Sequence, residues 1–131
     1  MTGIDTNILI RYIIRDDPQQ TRSASIFIES LSREKPGFVP LVATAELGWV
    51  LNRSYKLRRG EFIQALKSVL NSEALFFENE TLLKQALLIF AQTNAEFGDC
   101  LIASSARSRG CVSTVTFDRR AANTLGMQLL P

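Results

Sequence analysis

A chain of 131 residues, 46% hydrophobic and 21% charged, has room for one hydrophobic core and not for two, and its composition is that of a folded protein rather than a disordered or fibrous one. Fifteen Lys and Arg against thirteen Asp and Glu leave a net charge of only +2, so any affinity for polyanions has to come from local clusters such as Arg53/Lys56/Arg58/Arg59 or Arg107/Arg109/Arg119/Arg120. There is no histidine, and the two cysteines, Cys100 and Cys111, lack Cys-x-x-Cys spacing, which argues against a Cys/His zinc site and suggests packed thiols.

In chain order the pattern predicts a short strand over Thr2 to Asp5, then a helix carrying Ile8-Leu9-Ile10 and Tyr12-Ile13. Asp16-Asp17-Pro18 interrupts it. Pro18 suits the first turn of a second helix, with Ala24, Phe27, Ile28 and Leu31 as its buried stripe. Lys35-Pro36-Gly37 ends that helix, Phe38-Val39 form a brief strand, and Pro40 opens a third helix running to about Lys56. Arg59-Gly60 separates it from a fourth helix striped with Phe62, Ile63, Leu66, Val69 and Leu70, and a strand from Ala74 to Phe77 follows. Leu82, Leu83, Ala86, Leu87 and Phe90 mark a fifth helix, and Phe97 to Arg109 a sixth, stopped by Gly110. A strand from Val112 to Phe117, a short helix over Ala121 to Leu125 and a strand from Met127 to Leu130 complete the chain.

Short apolar strands alternating with helices are the pattern of crossover units covering both faces of a parallel sheet. The expected fold is therefore a three-layer α/β/α sandwich around a central parallel sheet, with residues 1–131 as a single domain. No apolar run reaches membrane-spanning length, and the N-terminus lacks the layout of a signal peptide, so a cytoplasmic protein without a membrane partner is expected.

Four carboxylates stand where this patterning would place something else. Asp5 and Asp118 each follow a strand directly, at the sheet edge where open parallel sheets bind ligands. Glu46 has Val42, Trp49 and Val50 as helical neighbours, and Asp99 has Ile102, Ala103 and Ala106, which places both on apolar, buried stripes. Singly, each has a plain structural role, as a helix cap or a half-buried side chain tied to an arginine. Together they would repel one another unless a cation offset the charge. All-oxygen donors suit Mg2+ or Mn2+, which can activate water for attack on a phosphodiester. With no imidazole to activate a serine or cysteine, carboxylates are also the natural catalysts.

The stretches GIDTNILIRYIIRDDPQQ, ATAELGWVLNRSY, FGDCLIASSARSRGC and TVTFDRRAA resemble, in order and over nearly the whole chain, the four blocks of PIN domains, and most of all those of VapC-type toxins. That resemblance implies a Mg2+- or Mn2+-dependent endoribonuclease, usually a homodimer, acting on RNA and inhibited by a small VapB-like antitoxin. By the same resemblance Asp5, Glu46, Asp99 and Asp118 fall on the acidic metal-binding positions, and Asn7 and Thr116 on supporting polar ones. Thr6 lies close enough to help shape the site or to cap a helix. Arg119, Arg120 and Arg11 are candidates for holding the RNA backbone. Glu96 and Arg120 depart from the family pattern, each standing where relatives often carry an aspartate or another acid. The alternatives are a catalytically silent RNA- or protein-binding module, or a DNA nuclease or phosphatase using the same acids.

Overall fold

Parallel pairing organises every strand of the computed structural model, which describes all residues, Met1–Pro131. The chain divides into two units, Met1–Glu80 and Thr81–Pro131.

In the first unit β1 (Thr2–Gly3), β2 (Gly37–Val39) and β3 (Leu75–Phe77) lie in that order, with Thr2 opposite Gly37 and Gly37 opposite Leu75. Parallel neighbours cannot be joined by a tight turn, so each connection is helical. Helices α1 (Thr6–Ile14) and α2 (Pro18–Ser30) link β1 to β2, and α3 (Leu41–Arg53) and α4 (Arg59–Leu70) link β2 to β3. Helix α1 packs on both α2 and α3. Leu9, Val39, Leu47, Leu51, Phe62 and Leu66 are almost wholly removed from water. Each such burial contributes about 1.5–3 kcal/mol before conformational entropy is counted. Gly37 is fixed by packing: a Cβ there would meet the Ile4 side chain and come within 2.9 Å of Leu31 Cδ1.

The second unit holds α5 (Glu80–Gln92), which begins at the boundary, α6 (Phe97–Ser108), β4 (Val115–Thr116), α7 (Arg119–Leu125) and β5 (Gln128–Leu129). Phe90 and Phe97 meet edge to face with centroids 5.8 Å apart, and Ala103, Ala121 and Met127 form a small buried cluster. Gly110 and Gly126, at φ 85° and 68°, take the left-handed conformations that end α6 and α7.

The elements follow the expected order, with several corrected boundaries. Helix α3 stops at Arg53 rather than Lys56, because Lys56 takes a left-handed φ of 51° that helix cannot continue through. Arg59 opens α4 instead of separating it, since the Glu61 carboxylate accepts from Arg58 N at 3.1 Å and organises the first turn. Leu31 caps α2 in an extended conformation, outside its stripe. Helix α7 starts at Arg119, two residues before Ala121. The fourth strand shrinks from Val112–Phe117 to Val115–Thr116, and Val112 is fully exposed. Its partner β5 lies between the Gly126 turn and Pro131, which has no N–H to donate, so the ladder has little length to offer. Cys100 is buried as expected, whereas Cys111 is exposed.

Candidate active site

Asp5 follows β1 at the N-cap of α1, yet its side chain makes no cap hydrogen bond. The plain structural reading of this residue therefore fails: the exposed carboxylate is not consumed by the helix it precedes. The next residue, Thr6, is 5% exposed, and its Oγ1 has no hydrogen-bond partner. An unpaired buried hydroxyl costs about 1–3 kcal/mol, and Thr21, Ser25 and Ser104 carry the same cost elsewhere in the chain, so it is the position next to Asp5 that singles Thr6 out. Asn7 follows on the first turn, exposed.

Glu46 lies on α3, whose first turn is held from outside. Leu41 N donates to Glu78 Oε1 at 2.9 Å, and Glu78 itself follows β3, with its N–H bonded to Val39 O. The sequence places Glu46 on a buried stripe, and the structure corrects this. Helix α3 turns Ala43, Thr44, Leu47, Gly48 and Leu51 into the core, so Glu46 is exposed beside Val42 and Trp49, themselves 67% and 61% exposed. Apolar neighbours at helical spacing identify a common face without saying that it is the buried one.

In the second unit Asp118 follows β4 and does cap its helix: Oδ1 accepts from Arg120 N at 2.8 Å and from Ala121 N at 3.0 Å. Both bonds use one oxygen, so the cap leaves Oδ2 available. Thr116 supports this turn, its Oγ1 accepting from Asp118 N at 3.0 Å. Asp99, in the first turn of α6, is half-buried rather than fully inward, since Ile102 beyond it is 55% exposed. Burial first, and then the charges of Asp118 and Glu96, raise its pKa above the usual aspartate value, while Arg120 opposes them. Asp99, Asp118, Glu96 and Arg120 thus share one electrostatic neighbourhood. Glu96 stands at the N-cap of α6 without a side-chain cap bond.

Of the candidate phosphate ligands, Arg119 is exposed at the start of α7, and Arg120 Nη2 donates to Asn94 O. Arg11 is engaged elsewhere: its Nη1 donates to Asp16 Oδ1 at 2.8 Å and to Tyr55 OH at 3.3 Å, and its Nε to Gln20 Oε1 at 2.6 Å. Desolvation acts to raise the Asp16 pKa, yet the hydrogen bonds from Tyr55 and Arg11 outweigh it and hold it below the usual value.

Sequence reasoning missed two features of the first unit. One is Glu78, an ordinary surface acid in the sequence. The other is a cleft of about 580 Å³ between α1 and α2, bordered by Asn7, Arg11, Asp17, Gln19, Gln20 and Ser23. Its only local sign is the polar run after the break at Asp16-Asp17-Pro18, which periodicity registers merely as an interruption.

The donor set fits a hard divalent ion: carboxylates and hydroxyls, with one buried hydroxyl unpaired and one aspartate uncapped. Taken by itself, neither unit gathers three or more His, Cys, Asp or Glu side chains that could hold a metal. No helix is long and apolar enough to cross a membrane.

Comparison with known proteins adds an independent finding. The profile of the PIN domain matches residues 4–125, running through both units. Over 121 residues the chain is 26% identical to the VapC ribonuclease of Aquifex aeolicus (strain VF5), a match covering 92% of this chain and 89% of that protein.

Proposed function

Because the chain belongs to the PIN domain family, with its α/β/α sandwich and parallel strands, we propose that it is a Mg2+- or Mn2+-dependent endoribonuclease. In this reading residues 1–131 act as one domain, with Asp5, Glu46, Asp99 and Asp118 as the ligands of the cation. The observation that carries it is that one family match, over residues 4–125, contains all four acids. The similarity to a VapC ribonuclease supports RNA as substrate and the toxin of a toxin–antitoxin pair as the biological role. We extend this to a cytoplasmic homodimer restrained by a small VapB-like antitoxin.

When bound, the divalent ion would neutralise phosphate charge and activate a water for in-line attack. The chain's own residues do the rest. Asp5 offers an uncapped carboxylate, and Asp118 offers Oδ2 while Oδ1 and the Thr116 hydroxyl fix the turn that presents it. Thr6 Oγ1 offers a hydrogen bond from a buried position, and Asn7 an amide beside it. Arg120 moderates the charge around Asp99, and Arg119 holds the RNA backbone. Arg11 contributes less directly, because its guanidinium already serves Asp16, Gln20 and Tyr55. Single-stranded loops are the expected targets, since their phosphates and splayed bases are reachable.

Purified protein given defined RNA should cut it with Mg2+ or Mn2+ and not with EDTA. Asp5→Asn and Asp99→Asn should abolish cutting while keeping the fold. Equal cleavage by these variants, or by the chelated enzyme, would refute the assignment.

A further inference from the structure

The cleft between α1 and α2 starts two residues beyond Asp5, and its wall is about equally polar and apolar, with amide, hydroxyl and charged side chains beside Ile8 and Ala24. Its volume of about 580 Å³ is that of a site for a small organic group. The chemistry of its wall narrows what that group can be. Asp17, which caps α2 by accepting from Gln20 N at 3.0 Å, places negative charge at the rim and disfavours a phosphate. Guanine is usually read by the two-donor fork of an arginine. Arg11 has no intact fork to offer, because Nε is held by Gln20 and Nη1 by Asp16 and Tyr55. Gln20 Oε1 is occupied by the same arginine. Asn7 and Gln19 keep both halves of their carboxamides uncommitted, and Ser23 its hydroxyl. A carboxamide sets one donor beside one acceptor, the complement of the amino group and ring nitrogen on adenine. Asp17 can accept from an exocyclic amine as well.

We propose that this cleft is a base-reading subsite that takes adenine from the nucleotide beside the scissile phosphate, with Gln19 and Asn7 as the reading amides and Ser23 and Asp17 as auxiliary partners. The proposal rests on the nuclease reading above and adds a sequence preference to it. Of the Arg11–Asp16–Tyr55 network only Arg11 lines the cleft, and its bonds to Asp16 and Tyr55 tie α1 to the residues before α4.

The test compares wild type with the double variant Gln19→Ala/Ser23→Ala on a randomised pool of short single-stranded RNAs, with fragment ends sequenced. Wild type should favour adenine next to the cut by about tenfold, and the variant should lose that bias while cutting other sites at an unchanged rate. A preference for another base, no preference, or an adenine bias that survives in the variant would overturn the subsite and leave the nuclease reading intact. If wild type cuts no RNA with either metal, the nuclease reading fails instead, and binding then judges the cleft. Fluorescence anisotropy should show labelled oligoadenylate bound about tenfold more tightly than oligouridylate by wild type and equally by the variant. Equal binding by wild type would overturn the subsite.

Discussion

Asp5 and Asp118 occupy matching places, each separated from the end of a strand by one residue and immediately before a helix, and the structure uses them differently. Asp118 gives one oxygen to the amides of Arg120 and Ala121 and so holds α7 in place. The Asp5 side chain gives α1 nothing, and only its backbone carbonyl takes part, accepting from Ile8 N at 3.1 Å. Helix α7 is a single short helix of 7 residues with a small apolar cluster beneath it, so a cap is a large part of what keeps it formed. Helix α1 is anchored by Leu9 and Ile10 in the core and by packing on two other helices, and it tolerates an uncapped start. The contrast teaches that an aspartate at a strand–helix junction is free for chemistry where tertiary packing already stabilises its helix.

The sharpest way to break this contrast is Asp5→Asn. Even partners behind a metal's direct ligands matter by 10- to 100-fold, so cleavage should fall by at least about 100-fold, with the melting temperature in EDTA unchanged. A loss of stability comparable to that of a removed cap would show that Asp5 serves the fold after all. Thr6→Val tests the same corner. Replacing an unpaired buried hydroxyl with a methyl should leave metal-free stability equal or higher, yet weaken Mn2+ affinity by about tenfold in calorimetric titration. Unchanged affinity would leave the orphaned hydroxyl without a role.

For Asp118 the expectation is a double effect. Asp118→Ala should lose activity and also about 1 kcal/mol of stability through the cap, read from denaturant midpoints, whereas Asp118→Asn should lose activity alone. In the first unit, Gly37→Ala forces the packed Ile4 side chain aside and should cost about 1–3 kcal/mol, with reduced activity because Ile4 directly precedes Asp5.

The smallest effect concerns Asp99. Its folded pKa is raised by burial and by Asp118 and Glu96, so the folded carboxyl keeps its proton to higher pH than the unfolded one. Stability contributed by the neutral form is therefore lost as pH rises from the ordinary aspartate value through the raised one. In EDTA, Asp99→Asn should melt above wild type at pH 7, and the difference should shrink towards pH 4. A difference that stays constant with pH would contradict the electrostatic reading.

Particular residues show how far the sequence could be read. Hydrophobic spacing located the first, second, fourth and fifth helices, local breakers such as Pro40 and Gly110 helped to bound others, and the positions of Asp5 and Asp118 after short apolar runs were visible locally. Glu46 marks the limit. Val42, Trp49 and Val50 identified its face, but only the packing of Ala43, Leu47 and Leu51 decided that this face stays in solvent. Arg11 is a second case, since the pairing of its guanidinium with Tyr55, 44 positions away, has no local sign.

By itself, then, the sequence determined the order of strands and helices, the stop signal at Gly110, and a set of acids suited to a hard cation. The tertiary structure alone decided which aspartate caps its helix, which hydroxyls are buried without a partner, and where a cleft opens between α1 and α2. Periodicity and capping depend on neighbours within a few residues, whereas burial and hydrogen-bond partnership depend on segments that meet only once the chain has folded.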